Sequence, residues 1–490
     1  MPPKRVIILG AGPGGLAAAA NLAKNKIPVT VFEKRSFIGG LCHTVVKDGF
    51  RFDLGGHRWF TKNNEVDRFV SKLMGDEFID VDRVSRIFFD DKFFDYPIKI
   101  KNVLKNAGLI YSLRAMLGYA RAQIAELINP TDDGLSMEDA YTKQFGWVLY
   151  ETFFKRYSEK VWGRDCRELS ADWVAQRTKG LSVFVALRQA LFKSRQSVES
   201  LIEHFKYPKL GYIRISERLR DVLLENGGEL QLDQTVTTVV HEEKAIRHIV
   251  VKRSDGADQP VAADQFISTI PLNVLVRIMR PAAPRAVLDA ADKLQFRALI
   301  TVNLMLNREQ VTQDNWLYIH DPQIKFARMH EPKNWSPSMA PPGKTSLVAE
   351  YFCTPGDEIW QSSDEALCRQ TVDDLVDRLH FIKREEVIGA FALREKAAYP
   401  VYTLGYEKPL NILKSYVKEF SNLKIIGRGG TFRYNNSDHS IEAGILVAKN
   451  LLGFSYDLDQ VNASPEYLEE KRGPVKKLPV KIESFVDMAD

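Results

Sequence analysis

Cysteine is scarce: 490 residues hold four, Cys42, Cys166, Cys353 and Cys368, with no C-x-x-C spacing among them. That excludes a disulfide scaffold, a zinc ribbon and a dithiol redox motif, and predicts free thiols, a reducing compartment and no metal. Long apolar runs are also missing, since no stretch approaches the roughly 20 uninterrupted apolar residues that span a bilayer. The opening MPPKRVIILGAG passes from two prolines and two basic residues straight into a buried-type strand and a glycine turn. It lacks the apolar stretch and cleavage site of a signal peptide, so a cytoplasmic protein is expected. Charge of one sign is not collected anywhere: Lys+Arg 68 against Asp+Glu 63 gives +5 over the whole length. Without a basic block to follow a phosphate backbone, nucleic acid is excluded as a partner. Charged residues at 27% and hydrophobic ones at 45% are ordinary globular usage, and the length suits two or three domains.

What is present begins with a βαβ unit. Residues 5–9 read as an apolar strand, 10–15 as a glycine turn, 16–24 as an alanine-rich helix and 28–33 as a second strand. Residues 63–204 read as mostly helical, aromatic and basic, with a break at 130–134. After Gly211 come a helix at 215–226 and strands at 229–240 and 245–253. Short alternating or apolar stretches at 296–306, 315–320, 325–330 and 345–352 suit an antiparallel sheet. A strand at 423–427 and a helix at 440–452 with small residues on one side close the folded part, and no internal repeat is visible. Residues 100–128 carry apolar side chains at helical spacing, with Lys101, Lys105, Arg114 and Arg121 between them. Core or domain-interface helices are the leading reading there, and association with a membrane surface the lesser one.

Gly10-Ala11-Gly12-Pro13-Gly14-Gly15 is a G-x-G-x-x-G pattern placed after a strand and at the opening of a helix. Gly10 serves the tight turn, Gly12 the approach of backbone amides to a pyrophosphate, and Gly15 close helix–strand packing. The helix amino terminus adds partial positive charge for the phosphates. Glu33 ends the second strand at about the spacing from which an acid accepts hydrogen bonds from ribose hydroxyls. Dinucleotide binding follows, with a 2′-phosphate disfavoured.

The continuation Glu33-Lys34-Arg35-Ser36-Phe37-Ile38-Gly39-Gly40 resembles the extended fingerprint of the FAD-binding superfamily of monoamine oxidases, protoporphyrinogen oxidase, phytoene desaturases and UDP-galactopyranose mutase. FAD is the cofactor that the resemblance implies, with Gly14, Lys34, Gly40 and Leu41 joining the fingerprint residues around it. The implied fold is α/β and α+β: a Rossmann-type, glutathione-reductase-like FAD-binding domain in segments 1–62, 206–275 and 421–455, a helical insertion at 63–205, an antiparallel-sheet substrate domain at 276–420, and a tail at 456–490. The late segment Ile425-Ile426-Gly427-Arg428, followed by Tyr434 to Asp438, resembles the one that closes over the flavin. By that likeness Arg428 meets the pyrophosphate and Asp438 the ribityl region, with Gly427, His439 and Ser440 beside them and the backbone of Val236 at adenine. The loop Phe52 to Phe60 would lie against the isoalloxazine ring through Gly56, with His57 donating a hydrogen bond near N5.

Tyr157-Ser158-Glu159-Lys160-Val161-Trp162-Gly163 is similar to a stretch of the UDP-galactopyranose mutases in which aromatic residues form the uridine pocket, a task that suits flat rings. Phe94 to Pro97, Phe326 to Glu331 and Ala398 to Val401 resemble further mutase elements, the last two bringing Arg328 and Tyr399 to the diphosphate. Tyr207 and Tyr402 complete the aromatic substrate candidates. Two departures matter. Tyr402-Thr403 replaces an Asn-Asp pair, and the second diphosphate arginine falls near Leu181, with Lys179 and Arg177 as shifted replacements. The resemblance implies mutase-like chemistry on a nucleotide sugar, through an N5 adduct of reduced flavin and ring contraction, with NAD(P)H a candidate external reductant. His57, Arg328, Tyr399 and Arg177 are then the catalytic set. Two alternatives stay open: net removal of hydride from a C–N or C–C bond, in which the aromatics line an apolar cavity, and flavin binding without catalysis.

Overall fold

The computed structural model describes residues 2–96, 108–128, 136–174 and 204–463. Arg177, Lys179, Leu181 and most of the tail lie outside the described residues. A five-stranded parallel sheet takes its strands from three distant stretches of chain, in the order Leu423–Ile425, Gln265–Ser268, Val6–Leu9, Val29–Phe32 and Glu229–Gln231. Val6–Leu9 and Val29–Phe32 are buried throughout. Helices cover both faces of such a sheet, which is why Val6–Leu9 reads as an apolar run without alternation, while Val29–Phe32 alternates through the buried Thr30.

Helix Pro13–Lys24 packs against helix Ser437–Leu451 and helix Ile213–Glu225. Its crossing with the late helix is set by two glycines, because a Cβ on Gly444 would lie 2.2 Å from the Gly14 carbonyl oxygen. The small-residue side of the late helix is thus a packing device that holds the two ends of the chain together.

The largest sheet has seven strands, ordered Val387–Pro400, Phe296–Leu306, Thr345–Cys353, Arg328–His330, Trp316–Ile319, Ser85–Phe89 and Lys92–Asp95. Its inner face buries Ile300, Val302, Leu304, Leu317 and Leu347 beneath helix Asp364–Asp373. The described residues of 63–204 are mostly helical, as expected, but the last two strands lie within that stretch, where the sequence showed no strand. Asp90 and Asp91, both at positive φ, turn a hairpin between Ser85–Phe89 and Lys92–Asp95, as paired turn residues between aromatic runs do. Ser85–Phe89 then pairs in parallel with Trp316–Ile319, so the sheet draws on both the insertion and the substrate stretch. The edge strand Val387–Pro400, whose last residues belong to the Ala398 to Val401 element, is the longest strand among the described residues.

The helical lobe comprises Leu109–Ile128, Met137–Phe145 and Arg156–Trp162, the last continuing a wide π-type turn at Tyr150–Lys155. Helix Leu109–Ile128 corrects the reading of a core or interface helix. Ser112, Ala115 and Tyr119 are buried against the lobe, whereas Ile110, Leu113, Leu117, Ile124 and Leu127 on the other side are exposed. No helix among the described residues is long and apolar enough to cross a membrane. The four cysteines are free.

Candidate active site

A cavity of about 640 Å³ opens at the carboxyl ends of the parallel strands and reaches across to the seven-stranded sheet. This is where ligands bind in open α/β sheets, because strand ends and helix starts converge there. The glycine turn forms one end. Gly10 has φ +106°, and a Cβ there would lie 2.1 Å from Thr269 Oγ1; a Cβ on Gly15 would lie 2.1 Å from the Gly10 carbonyl oxygen. Gly12 differs, as a Cβ there would meet no protein atom within 4 Å: its missing side chain faces the cavity. No side chain caps helix Pro13–Lys24, so its first-turn N–H groups remain for a ligand, and an anion is the natural one.

Glu33 lines the same end. Its Oε2 accepts from Ala11 N at 2.8 Å and its Oε1 from Arg35 N at 3.1 Å. Two backbone N–H groups therefore orient the carboxylate while each oxygen keeps a second acceptor site for hydroxyls. Arg35 reaches over to the edge strand and pairs with Glu395 at 2.5 Å. Lys34, Gly14, Gly40, Leu41, Val236, Gly427 and Ser440 line the cavity as well. A glycine cradle, an oriented acid and an uncapped helix start fit FAD, the dinucleotide that the sequence implies.

At the other end Gly55, Gly56 and His57 pass under the large sheet. A Cβ on Gly56 would lie 2.2 Å from Trp316 Nε1, so only glycine allows this approach. His57 Nδ1 lies 2.9 Å from the Gly55 carbonyl. A carbonyl only accepts, so Nδ1 carries the proton. Burial, with the Arg428 charge assisting and Asp53 opposing, holds the imidazole below its ordinary pKa. The neutral ring thus leaves Nε2 as an acceptor. The ring stacks on Tyr212 at 5.1 Å.

Beneath the loop, the buried Asp53 carboxylate accepts from Thr44 Oγ1 and Tyr207 OH, both at 2.6 Å, and from Tyr212 N at 3.1 Å. Tyr207 is therefore a support of the loop and stands outside the cavity wall, contrary to its place among the substrate candidates. Three other aromatic candidates also fall outside that wall. Tyr157 stacks on His320 at 4.6 Å, Trp162 packs edge-on against Trp173 at 4.5 Å, and Tyr402 OH accepts from Tyr434 N at 2.8 Å while its ring stacks on Tyr406. Lys160 of the same motif has a structural task, donating to the carbonyls of Ile319, Asp321 and Phe326. Burial pulls its pKa down to about 7.

Arg328 and Tyr399 do meet in the wall. Arg328 Nη2 donates to Tyr399 OH at 3.0 Å and to Glu350 Oε2 at 2.6 Å. Glu350 sits opposite Arg328 in the strand register, and its Oε1 accepts from Gly56 N at 3.1 Å. One carboxylate thereby ties the arginine to the His57 loop. Burial pushes the Glu350 carboxyl up, but Arg328, His330 and the Gly56 N–H outweigh it and bring it down to about 2. Burial likewise opposes the charge on Arg328, and Glu350 more than offsets that. The Nε of Arg328 is enclosed without an acceptor among the described residues. Glu350 escaped the sequence reading although a signal was there: it is the lone acid in TSLVAEYFC, a strand buried at all nine positions, and acids are almost never fully buried unless paired.

Arg428 lines the cavity, donates to the carbonyls of Asn435 and Ala398, and lies 4.8 Å from the Tyr434 ring centroid. Asp438 and His439 do not reach the wall. His439 Nδ1 instead accepts from Asn436 N and helps cap the late helix.

Residues 13–404 match the family described as flavin containing amine oxidoreductase. Among curated proteins the chain is 29% identical over 184 residues to dTDP-fucopyranose mutase of Escherichia coli, covering 34% of this chain and 44% of that one. It is 25% identical over 386 residues to phytoene desaturase of Fusarium fujikuroi, covering 70% of this chain and 65% of that one. The chain thus spans less than two thirds of the length of either relative. Among solved structures it resembles reduced UDP-galactopyranose mutase with a TM-score of 0.80 at 21% identity, covering 96% of this chain and 100% of that one.

Proposed function

The chain belongs to the flavin containing amine oxidoreductases, and from that premise we propose that it is an FAD enzyme of the sugar-nucleotide mutase kind, changing the ring size of a sugar carried on a nucleoside diphosphate. The observation that carries this reading is the cluster of Arg328, Glu350 and Tyr399 in the cavity wall, tied through Gly56 to the His57 loop. A guanidinium in the cavity wall, next to a phenol, suits the oxygens of a diphosphate. When bound, reduced FAD supplies the electron-rich centre that this chemistry requires.

The chain's own residues bind, orient and dry the site. The glycine turn and Glu33 hold the dinucleotide. Arg58, Arg328 and Arg428 bring three guanidinia to one cavity and offset the charge of a departing diphosphate. Trp316, Tyr318, Tyr399 and Tyr434 wall it with rings and exclude water. His57 keeps its proton at Nδ1 on the Gly55 carbonyl and offers Nε2 as an acceptor. Arg177 remains a candidate second cation for the diphosphate, and NAD(P)H a candidate external reductant.

A second reading, net removal of hydride from a C–N or C–C bond, is favoured by one specific observation: the desaturase relative aligns over 70% of the chain, the mutase relative over 34%. Anaerobic titration of the holoenzyme with UDP, dTDP and their sugars, oxidised and dithionite-reduced, separates the two. The mutase reading expects binding that tightens on reduction, pyranose–furanose interconversion by chromatography, and a loss of about 1.5–3 kcal/mol of binding in Arg328→Ala. Absence of binding in both states refutes it in favour of hydride removal.

A further inference from the structure

The exposed side of helix Leu109–Ile128 is an apolar seam with regular spacing. Ile110, Leu113, Leu117, Ala120, Ile124 and Leu127 follow one another at intervals of three and four, and all are exposed. Exposures of 75% at Ile110, 56% at Leu113 and at Leu117, and 82% at Leu127 are far beyond what scattered surface apolar residues explain. Arg114 and Arg121 are exposed along the same seam. Its one acid, Glu126, is on the flank and is bridged to Lys143 at 3.1 Å. Beside the helix, where Gly146 packs on Gly118, Trp147 is half exposed with Lys155 over its ring.

From this we propose that the helix docks in the plane of an anionic phospholipid bilayer, the seam entering the acyl boundary and the two arginines meeting headgroup phosphates. Charge decides between this occupant and a second copy of the chain. Antiparallel self-pairing of the seam sets its arginines against the arginines of the other copy, and a parallel one supplies no acid to answer them. Size points the same way. A seam about 30 Å long and roughly 10 Å wide falls well short of the roughly 800 Å² per partner of a stable interface. An exposed apolar seam with cations beside it, and an adjacent tryptophan, carries residue types that suit a membrane interface. The inference is independent of the reaction proposed for the cavity.

The test is co-sedimentation of the full-length holoenzyme with phosphatidylcholine vesicles, with and without phosphatidylglycerol, at low and high salt. Binding is expected only to the anionic vesicles and is expected to weaken with salt. Arg114→Gln with Arg121→Gln should lower the partition coefficient about thirtyfold, or about fivefold per charge. Leu113→Glu with Leu117→Glu should abolish binding; both positions are exposed, and retained flavin absorbance in the variant confirms the fold. Failure to bind anionic vesicles, or equal binding to both compositions, overturns the proposal. So does a dimer in light scattering that the leucine variant dissolves in the absence of vesicle binding, an outcome that assigns the seam to a second copy.

Discussion

Glu350→Gln tests the logic of the site most directly, because one carboxylate connects the arginine, the His57 loop and the strand register. Glu350 is fully buried and Arg328 partly so, with 2.6 Å between the paired atoms. At an effective dielectric of about 20, a contact of about 4 Å between charge centres is worth about 4 kcal/mol. Removing one partner of a buried pair generally costs about 3–5 kcal/mol, since the other charge is left without compensation. The amide also cannot accept on both sides: with its oxygen toward Arg328, its NH2 faces the Gly56 N–H, which Oε1 now receives at 3.1 Å. The expected destabilisation is therefore about 3–5 kcal/mol, centred on the wall between the two sheets. Urea titration of the holoenzyme, followed by flavin release and by circular dichroism, measures it. The decisive comparison is the double variant Glu350→Gln with Arg328→Met, which removes the stranded charge and should recover a large part of the loss. A single variant within about 1 kcal/mol of the parent protein, or a double variant no more stable than the single one, would refute the reasoning.

Three further outcomes are expected. Gly12→Val should abolish flavin retention, because its side chain would project into the open space beside the glycine turn; a yellow purified variant contradicts that placement. Glu442, on the late helix, accepts from Asn63 Nδ2 at 2.9 Å, and burial raises its carboxyl to about 7. A raised carboxyl favours the protonated folded state, so its stabilising contribution is complete below the ordinary glutamate range and is lost as pH rises through about 7. Glu442→Gln should flatten the fall in stability between pH 5 and 8 by an amount on the order of 2–3 kcal/mol, and an unchanged profile in thermal denaturation argues against it. Lys160→Met should strip three carbonyls of their donor and loosen the turn at residues 319–326. Faster amide exchange there is the expected signature, and unaltered protection would count against the role assigned to Lys160.

The sequence by itself determined the parts of this protein that depend on local order. A glycine pattern between a strand and a helix allows the tight turn and close backbone approach of a dinucleotide site, and its acid at Glu33 follows by spacing along the chain. The strands at 6–9 and 29–32 are legible because strands covered on both faces favour apolar and β-branched residues. Distance along the chain hides what the tertiary structure decided. The hairpin at 85–95 looked like part of a helical stretch until its pairing with Trp316–Ile319 gave those aromatics a sheet to join. Tyr157, Trp162, Tyr207 and Tyr402 are residue types that suit a binding pocket, yet packing against His320, Trp173, Asp53 and Tyr406 takes them out of the wall. Glu350, whose register opposite Arg328 makes it the centre of the site, is separated from Gly56 by almost 300 residues. Its role exists only once two strands and a loop are brought within hydrogen-bonding distance, because a buried charge is defined by its neighbours rather than by its position in the chain.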